Sequence, residues 1–253
     1  MKYLIIIILI VGSLHAQINT EAMRSEHIND GFINKVNIDL GIEKADAEVI
    51  DLAVSYRVDY FNLSGVHIFL ILNYKNGYEQ EEDLDINQVV NKGFSHLRMT
   101  KMISSKLFFE VFTQFGFNDF LLMKNRKLAG SGLRYKMVSN DRMNTFLGIG
   151  LMQENEIYDE RVNEPEKKLL RSTNYLRWNI NIAENIELYN TVYYQFSSSD
   201  INDYRLLYDG SIDFSVDENL SFFMEINYRY DNDPHGDMVK SYVQLNNGIE
   251  FTF

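Results

Sequence analysis

The sequence predicts an all-β protein: a transmembrane antiparallel β-barrel of about 12 strands, with short periplasmic turns and longer extracellular loops. Three observations carry that expectation. Apolar and polar residues alternate with a period of two almost everywhere after residue 31, the periodicity of a strand with two unlike faces. The connections between alternating segments are short and long in turn. The chain opens on an export signal and closes on alternating aromatics.

The N-terminus reads first. Met1-Lys2 precedes an apolar run from Tyr3 to Val11, then Gly12-Ser13-Leu14-His15-Ala16-Gln17. A charged start, a short apolar stretch and a small residue before a cut after Ala16 make a signal peptide over 1–16. The run falls short of the roughly 20 apolar residues that a membrane helix needs. Residues 17–31 are expected as an N-terminal periplasmic segment, and 32–253 as the barrel.

Alternating segments lie near 32–43, 48–61, 65–79, 92–103, 106–122, 126–138, 142–158, 171–182, 185–196, 204–216, 219–230 and 238–253. In one of them Tyr204, Leu206, Tyr208, Gly210, Ile212 and Phe214 share a face, against Arg205, Leu207, Asp209, Ser211 and Asp213. At roughly 3.3 Å per residue and a tilt of about 40°, such a face projects to roughly 25 Å, the height of a lipid-facing band. Tight turns are expected at Asn62-Leu63-Ser64-Gly65, Ser104-Ser105, Ser139-Asn140-Asp141, Ala183-Glu184-Asn185 and Asp217-Glu218-Asn219. Longer acidic stretches over 80–91, 159–170, 197–203 and 231–237 alternate with them. A soluble sandwich or lipocalin-like barrel also alternates, but with an apolar inside. Here the polar faces carry too many charges for a dry core, and suit a wet or salt-bridged lumen.

The last ten residues, Gln244 to Phe253, alternate through Leu245, Ile249, Phe251 and Phe253. They resemble the C-terminal assembly signal of outer-membrane barrels, which implies recognition by the barrel assembly machinery. A terminal ring suits the lipid interface better than water.

Four motifs sit in the middle of the chain. They are Phe94-x-His96-x-Arg98; Glu110-x-Phe112-x-Gln114 with Asn118; Arg126-x-Leu128-x-Gly130-x-Gly132-x-Arg134; and Gly148-x-Gly150 with Glu154-x-Glu156. Their order over about residues 91–156 resembles the salt-induced outer-membrane protein family, a domain-of-unknown-function family of barrels. The resemblance implies the barrel and the outer membrane, and no catalytic residue.

By strand parity each motif places its polar residues on one face. If Leu133, Leu147, Ile149 and Leu151 face lipid, then His96, Arg98, Glu110, Gln114, Asn118, Arg126, Arg134, Glu154 and Glu156 face a lumen. Arg177, Glu187, Arg205, Asp209, Asp213, Glu225, Arg229 and Glu250 extend the set around the wall. The glycines are expected to leave room for long arginine side chains and for curvature. Buried charges need partners, and the discriminating feature is whether Arg98, Arg134, Arg177 and Arg229 neutralise Glu110, Glu154, Asp213 and Glu225 across the lumen or leave an open water path. Paired charges that fill the barrel and a passage lined by charge remain alternative uses of one network.

Other chemistry finds little support. The chain has no cysteine and a net charge of −12, which disfavours thiolate sites and a nucleic-acid partner. No Gly-x-Ser-x-Gly occurs, and the adjacent Ser95 and His96 face opposite sides of a strand. No enzyme activity, metal or cofactor is expected. Asp231 to Asp237 departs from a calcium loop at its fifth and twelfth positions and reads as a solvated turn. The expected function is a narrow, porin-like channel with a charged lumen, monomeric, in contact with outer-membrane lipid and lipopolysaccharide. The alternative is a non-conducting structural or stress-related barrel that presents acidic loops to partners.

Overall fold

The structure is a computed structural model that describes residues 30–44, 47–81, 87–119, 122–159, 161, 166–234 and 240–252. Its strands are β1 (Gly31–Lys44), β2 (Ala47–Asn62), β3 (Val66–Glu81), β4 (Asn87–Met102), β5 (Leu107–Asn118), β6 (Met123–Ser139), β7 (Met143–Tyr158), β8 (Glu166–Ala183), β9 (Ile186–Ser197), β10 (Tyr204–Ser215), β11 (Leu220–Asp231) and β12 (Ser241–Thr252). Each strand pairs antiparallel with its sequence neighbours, and β12 returns to β1 to close a 12-stranded barrel. The expected signal peptide over 1–16, residues 17–29 and Phe253 lie outside the described residues.

Local chemistry ends the strands where the sequence places turns. Gly65 takes a φ of +78° and donates its N–H to Asn62 O at 2.9 Å. That left-handed conformation favours a residue with no Cβ. In the β6–β7 turn Asn140 Oδ1 accepts from Arg142 N at 3.0 Å and Met143 N at 2.9 Å. Asp217 Oδ1 does the same for Asn219 N and Leu220 N in the β10–β11 turn, at 2.8 and 3.0 Å. Asn and Asp start turns because their short side chains cap backbone N–H groups two or three residues on.

Three boundaries depart from the alternation. β4 begins at Asn87 and β8 at Glu166, about five residues ahead of the expected starts. Asn87, Gln88, Glu166 and Lys168 are exposed, so these ends of the ladder carry no apolar face to betray them. In the other direction, β5 stops at Asn118. Leu122 N donates to Asp119 O at 3.0 Å with Leu122 at φ +53°, so a turn replaces the expected run to 122.

The outer wall is apolar. Leu97, Phe109, Leu133, Leu147, Ile149, Leu151, Leu176, Met224 and Val243, from seven strands, are all exposed. Aromatic rings mark its edges. Tyr194, Phe196, Tyr204 and Tyr230 follow one another near the loop end at centroid spacings of 5.8 to 5.9 Å. Phe32 and Tyr60 meet at 4.9 Å near the turn end. An apolar band between aromatic girdles is what a barrel wall presents to a bilayer. Ile149→Arg, in the middle of that band, is expected to lower unfolding stability in lipid vesicles by about 2–4 kcal/mol. Urea titration followed by tryptophan fluorescence measures it.

Candidate functional site

The interior is built from registered rows. His96, Gln114, Leu128 and Glu154 are direct neighbours across β4 to β7. Arg98, Phe112, Gly130, Met152 and Arg171 form the next row, and Thr100, Glu110, Gly132, Gly150 and Thr173 the one after. The four sequence motifs are therefore one patch of inner wall. All seventeen residues expected in the lumen lie on inward-facing positions, Arg205 and Asp209 buried and Glu187 and Glu250 half-buried among them. His96, Arg98, Glu110, Gln114, Asn118, Arg126, Arg134, Glu154, Glu156, Arg177 and Arg229 are buried, and Asp213 and Glu225 half-buried.

Glu154 is the centre of the densest cluster. It is 1% exposed and accepts hydrogen bonds from three arginines. Arg126 Nε reaches Oε1 at 2.7 Å, with Arg126 Nη2 on the same oxygen. Arg171 Nε reaches Oε2 at 2.8 Å and Arg205 Nη1 at 3.0 Å. Glu156 adds a second anion, 3.2 Å from Arg126 and 3.4 Å from Arg205, and accepts from Tyr158 OH at 3.1 Å. Arg171 makes a forked contact with Asp203 at 2.8 and 3.1 Å. Arg205 donates to Asp231 at 2.8 Å, and Lys167 lies 3.3 Å from Asp203. Four cations meet four carboxylates, so the buried charge is compensated. The cluster lies in the loop-side half of the lumen, tying β6, β7, β8, β10 and β11 to the end of the β9–β10 loop.

The turn-side half uses different contacts. Glu110 accepts from Tyr175 OH at 2.9 Å and Thr100 Oγ1 at 3.2 Å, with Arg98 at 3.5 Å. Nearer the loop end, Arg229 of β11 donates to Asp209 at 2.5 Å. Arg134 lies over the Phe146 ring with 3.6 Å from Cζ to the centroid, a cation–π contact. Arg177 donates to Asn179 at 3.1 Å and sits over Tyr189. Glu225 accepts from Asn246 and Asp213 from Ser211. Of the pairings in question, Arg98 with Glu110 is present. Arg126, Arg171 and Arg205, rather than Arg134, neutralise Glu154.

The glycines make room for rings and backbone rather than for arginines. A Cβ on Gly148 would lie 2.0 Å from the Tyr175 ring, and one on Gly130 2.5 Å from the Phe112 ring. Gly132 and Gly150 would each place a Cβ 2.7 Å from a neighbouring carbonyl oxygen. Gly148 therefore seats the tyrosine that holds Glu110.

Sequence reasoning missed Arg171, Asp203 and the group of Arg57, Asp59 and His67. Parity alone marks Arg171, which shares a face with Thr173, Tyr175 and Arg177. Asp203 precedes the strand but keeps the parity of Arg205. Asp59 is fully buried beneath Arg57 and lies 2.7 Å from His67 Nε2. Among the described residues no group of three or more acidic or histidine side chains is placed to hold a metal.

The lumen is unevenly filled. Between Arg98, Glu110, Arg126, Thr173, Tyr175 and Gln195 lies a cavity of about 30 Å³, room for about one water. The inner side chains of β12, with Lys35 and Asn37 of β1 and Asp51, Asn73 and Lys75 toward the loop end of β2 and β3, stay half-exposed, whereas Arg57, Asp59, Phe69 and Ile71 nearer the turns are buried. Lys35 meets Glu250 at 2.5 Å with 24% and 22% of their side chains accessible. Lys75 meets Asp51 at 2.9 Å with 25% and 23%. A crescent of accessible polar wall thus faces a packed, ion-paired one.

Residues 53–253 match the family described as "Protein of unknown function, DUF481". The chain belongs to this family. No curated protein matches it in sequence. Among solved structures it is similar to the NanC porin, with a TM-score of 0.52 at 7% identity over 87% of this chain and 98% of that one. It is also similar to the translocator domain of the autotransporter NalP from Neisseria meningitidis, with a TM-score of 0.53 at 9% identity over 90% of each chain. What is shared at such identities is the closed antiparallel barrel.

Two outcomes follow from the charges. Glu154→Gln leaves three buried arginines around a neutral amide, and is expected to cost about 3–5 kcal/mol of stability, read by urea unfolding. In the β7–β8 loop, the Arg161 hydrogen bond lowers the Asp159 pKa from 3.8 to about 2. A lowered folded value means that the pair favours the ordered loop above pH 3.8 and is lost as pH falls through about 2;. NMR titration is expected to return the midpoint toward 3.8 in Arg161→Ala.

Proposed function

We propose that the protein is an integral outer-membrane barrel that acts as a narrow, porin-like channel with a charged lumen. The observation that carries this reading is the inversion of the usual soluble pattern: a continuous apolar exterior around an interior of arginines and carboxylates. The likeness to a porin barrel supports it at the level of fold. The path for ions is the half-exposed crescent. Its charges Lys35, Lys75, Asp51 and Glu250 adjoin the half-buried Asp213 and Glu225 of β10 and β11, and the acidic excess of this set favours cations. In this reading the chain is exported by its N-terminal signal and inserted by the assembly machinery through its C-terminal strand. It works as a monomer in contact with lipid and lipopolysaccharide, and catalyses no reaction. The salt-induced relatives that its motifs resemble extend the reading to a role under ionic stress.

A second reading is a barrel that does not conduct. Its support is the packed side of the lumen, where Arg171, Arg177 and Glu154 are at most 1% exposed. Conductance of the refolded protein in a planar bilayer decides between them. A channel gives discrete steps whose reversal potential under a salt gradient favours cations, and Glu225→Gln with Asp213→Asn reduces that preference. A folded, heat-modifiable barrel that stays silent across salt concentrations assigns the protein to the second reading.

A further inference from the structure

The twelve seams of the barrel are unequal. Eleven of them carry between eleven and sixteen registered positions. Among the described residues the closing seam carries three: Lys35 with Thr252, Val36 with Phe251 and Asn37 with Glu250. Toward the loop end β1 continues from Ile38 to Lys44 in register with β2 alone. On the other side Val243 to Ile249 of β12 are in register with β11 alone. Exposure reports the same gap independently. Leu245 is 74% and Ile38 61% exposed, whereas no large apolar strand residue of β2–β11 exceeds 59%.

We infer that the β1–β12 seam is a lateral opening from the lumen into the membrane, which takes a single-chain amphiphile with a hydrogen-bond-donating head group. The inference rests on the membrane reading above. Unpaired strand edges in hydrocarbon are tolerated only where they line protein or a water-filled cavity. The seam meets that condition, because the crescent of accessible lumen runs behind it. Its inner side holds two buried acceptor atoms with no hydrogen-bond partner, Asn37 Oδ1 on β1 and Gln244 Oε1 on β12. Glu225 and Glu250 share that inner wall, reached by Asn246 and Lys35 respectively. The outer side offers Ile38, Val243 and Leu245. Acceptors and carboxylates inside, with aliphatic side chains outside, complement an ammonium or hydroxyl head on an alkyl tail. A second copy of the chain or a partner strand would satisfy the backbone edges but leave the two inner acceptors as they are.

The test uses tryptophan fluorescence in phospholipid vesicles, with lysophosphatidylethanolamine brominated on its acyl chain as the quencher. Trp178, on the outer face of β8 and the sole tryptophan, is the positive control for membrane insertion. In a Trp178→Phe background, Asn246→Trp reports the inner side of the seam and Asn73→Trp the inner side of the intact β2–β3 wall. Gly248→Trp serves as a second reporter on β12. The expected result is saturable quenching at the β12 reporters, comparable to that of Trp178, with none at β3. Ile38→Cys with Ile249→Cys, the next positions beyond the three registered ones, is expected to abolish that quenching when oxidised and restore it on reduction. Quenching of Trp178 with none at β12 overturns the lateral opening and leaves the membrane barrel standing. An unquenched Trp178 overturns the membrane reading itself.

Discussion

Backbone hydrogen bonding is the constraint on which the rest of this structure depends. A peptide group at membrane depth has no water to turn to, and each unpaired one costs several kcal/mol. A sheet closed on itself satisfies this for every strand, whatever its side chains. Twelve antiparallel strands with minimal turns at one end achieve it here, save along the loop-side part of the β1–β12 seam. Once the wall is closed, side chains are sorted by parity alone: one half of each strand forms the apolar outer wall, the other half faces the lumen.

The lumen then sets a second problem. A 12-stranded barrel is wider than the eight-stranded kind that side chains fill and narrower than a large porin. This chain fills one side and leaves the other accessible. The filled side is a balanced set of charges around Glu154, together with rings such as Tyr175 and Phe146 that carry or shield charge. The glycines belong to this packing: Gly148 and Gly130 are small because a ring lies against them. The accessible side runs behind the shortest seam, so wall closure and lumen filling are both weakest at the same place.

That coincidence has a physical basis. Seams elsewhere join strands linked by a turn, whose register is set locally by Asx turns and glycine. The β1–β12 seam joins strands more than 200 residues apart in sequence, with no turn to align them;. Only cross-strand contacts determine its register, and Lys35 with Glu250 is the ion pair that anchors it.

The sequence by itself determined the strands, their parity, the turn and loop sides and which charges share a face. All of these follow from a period of two and from short-range turn chemistry. It missed the polar ends of β4 and β8, because strand outside the lipid band needs no apolar face. Only the tertiary structure decided which charges pair. Arg126 and Arg205 reach one carboxylate from strands that parity cannot bring together, because barrel curvature and strand stagger set those distances. The role of Arg171, the inclusion of Asp203 and the uneven filling of the lumen were likewise decided there. Pairing across a closed lumen is a property of three-dimensional distance, and alternation along a strand carries none of it.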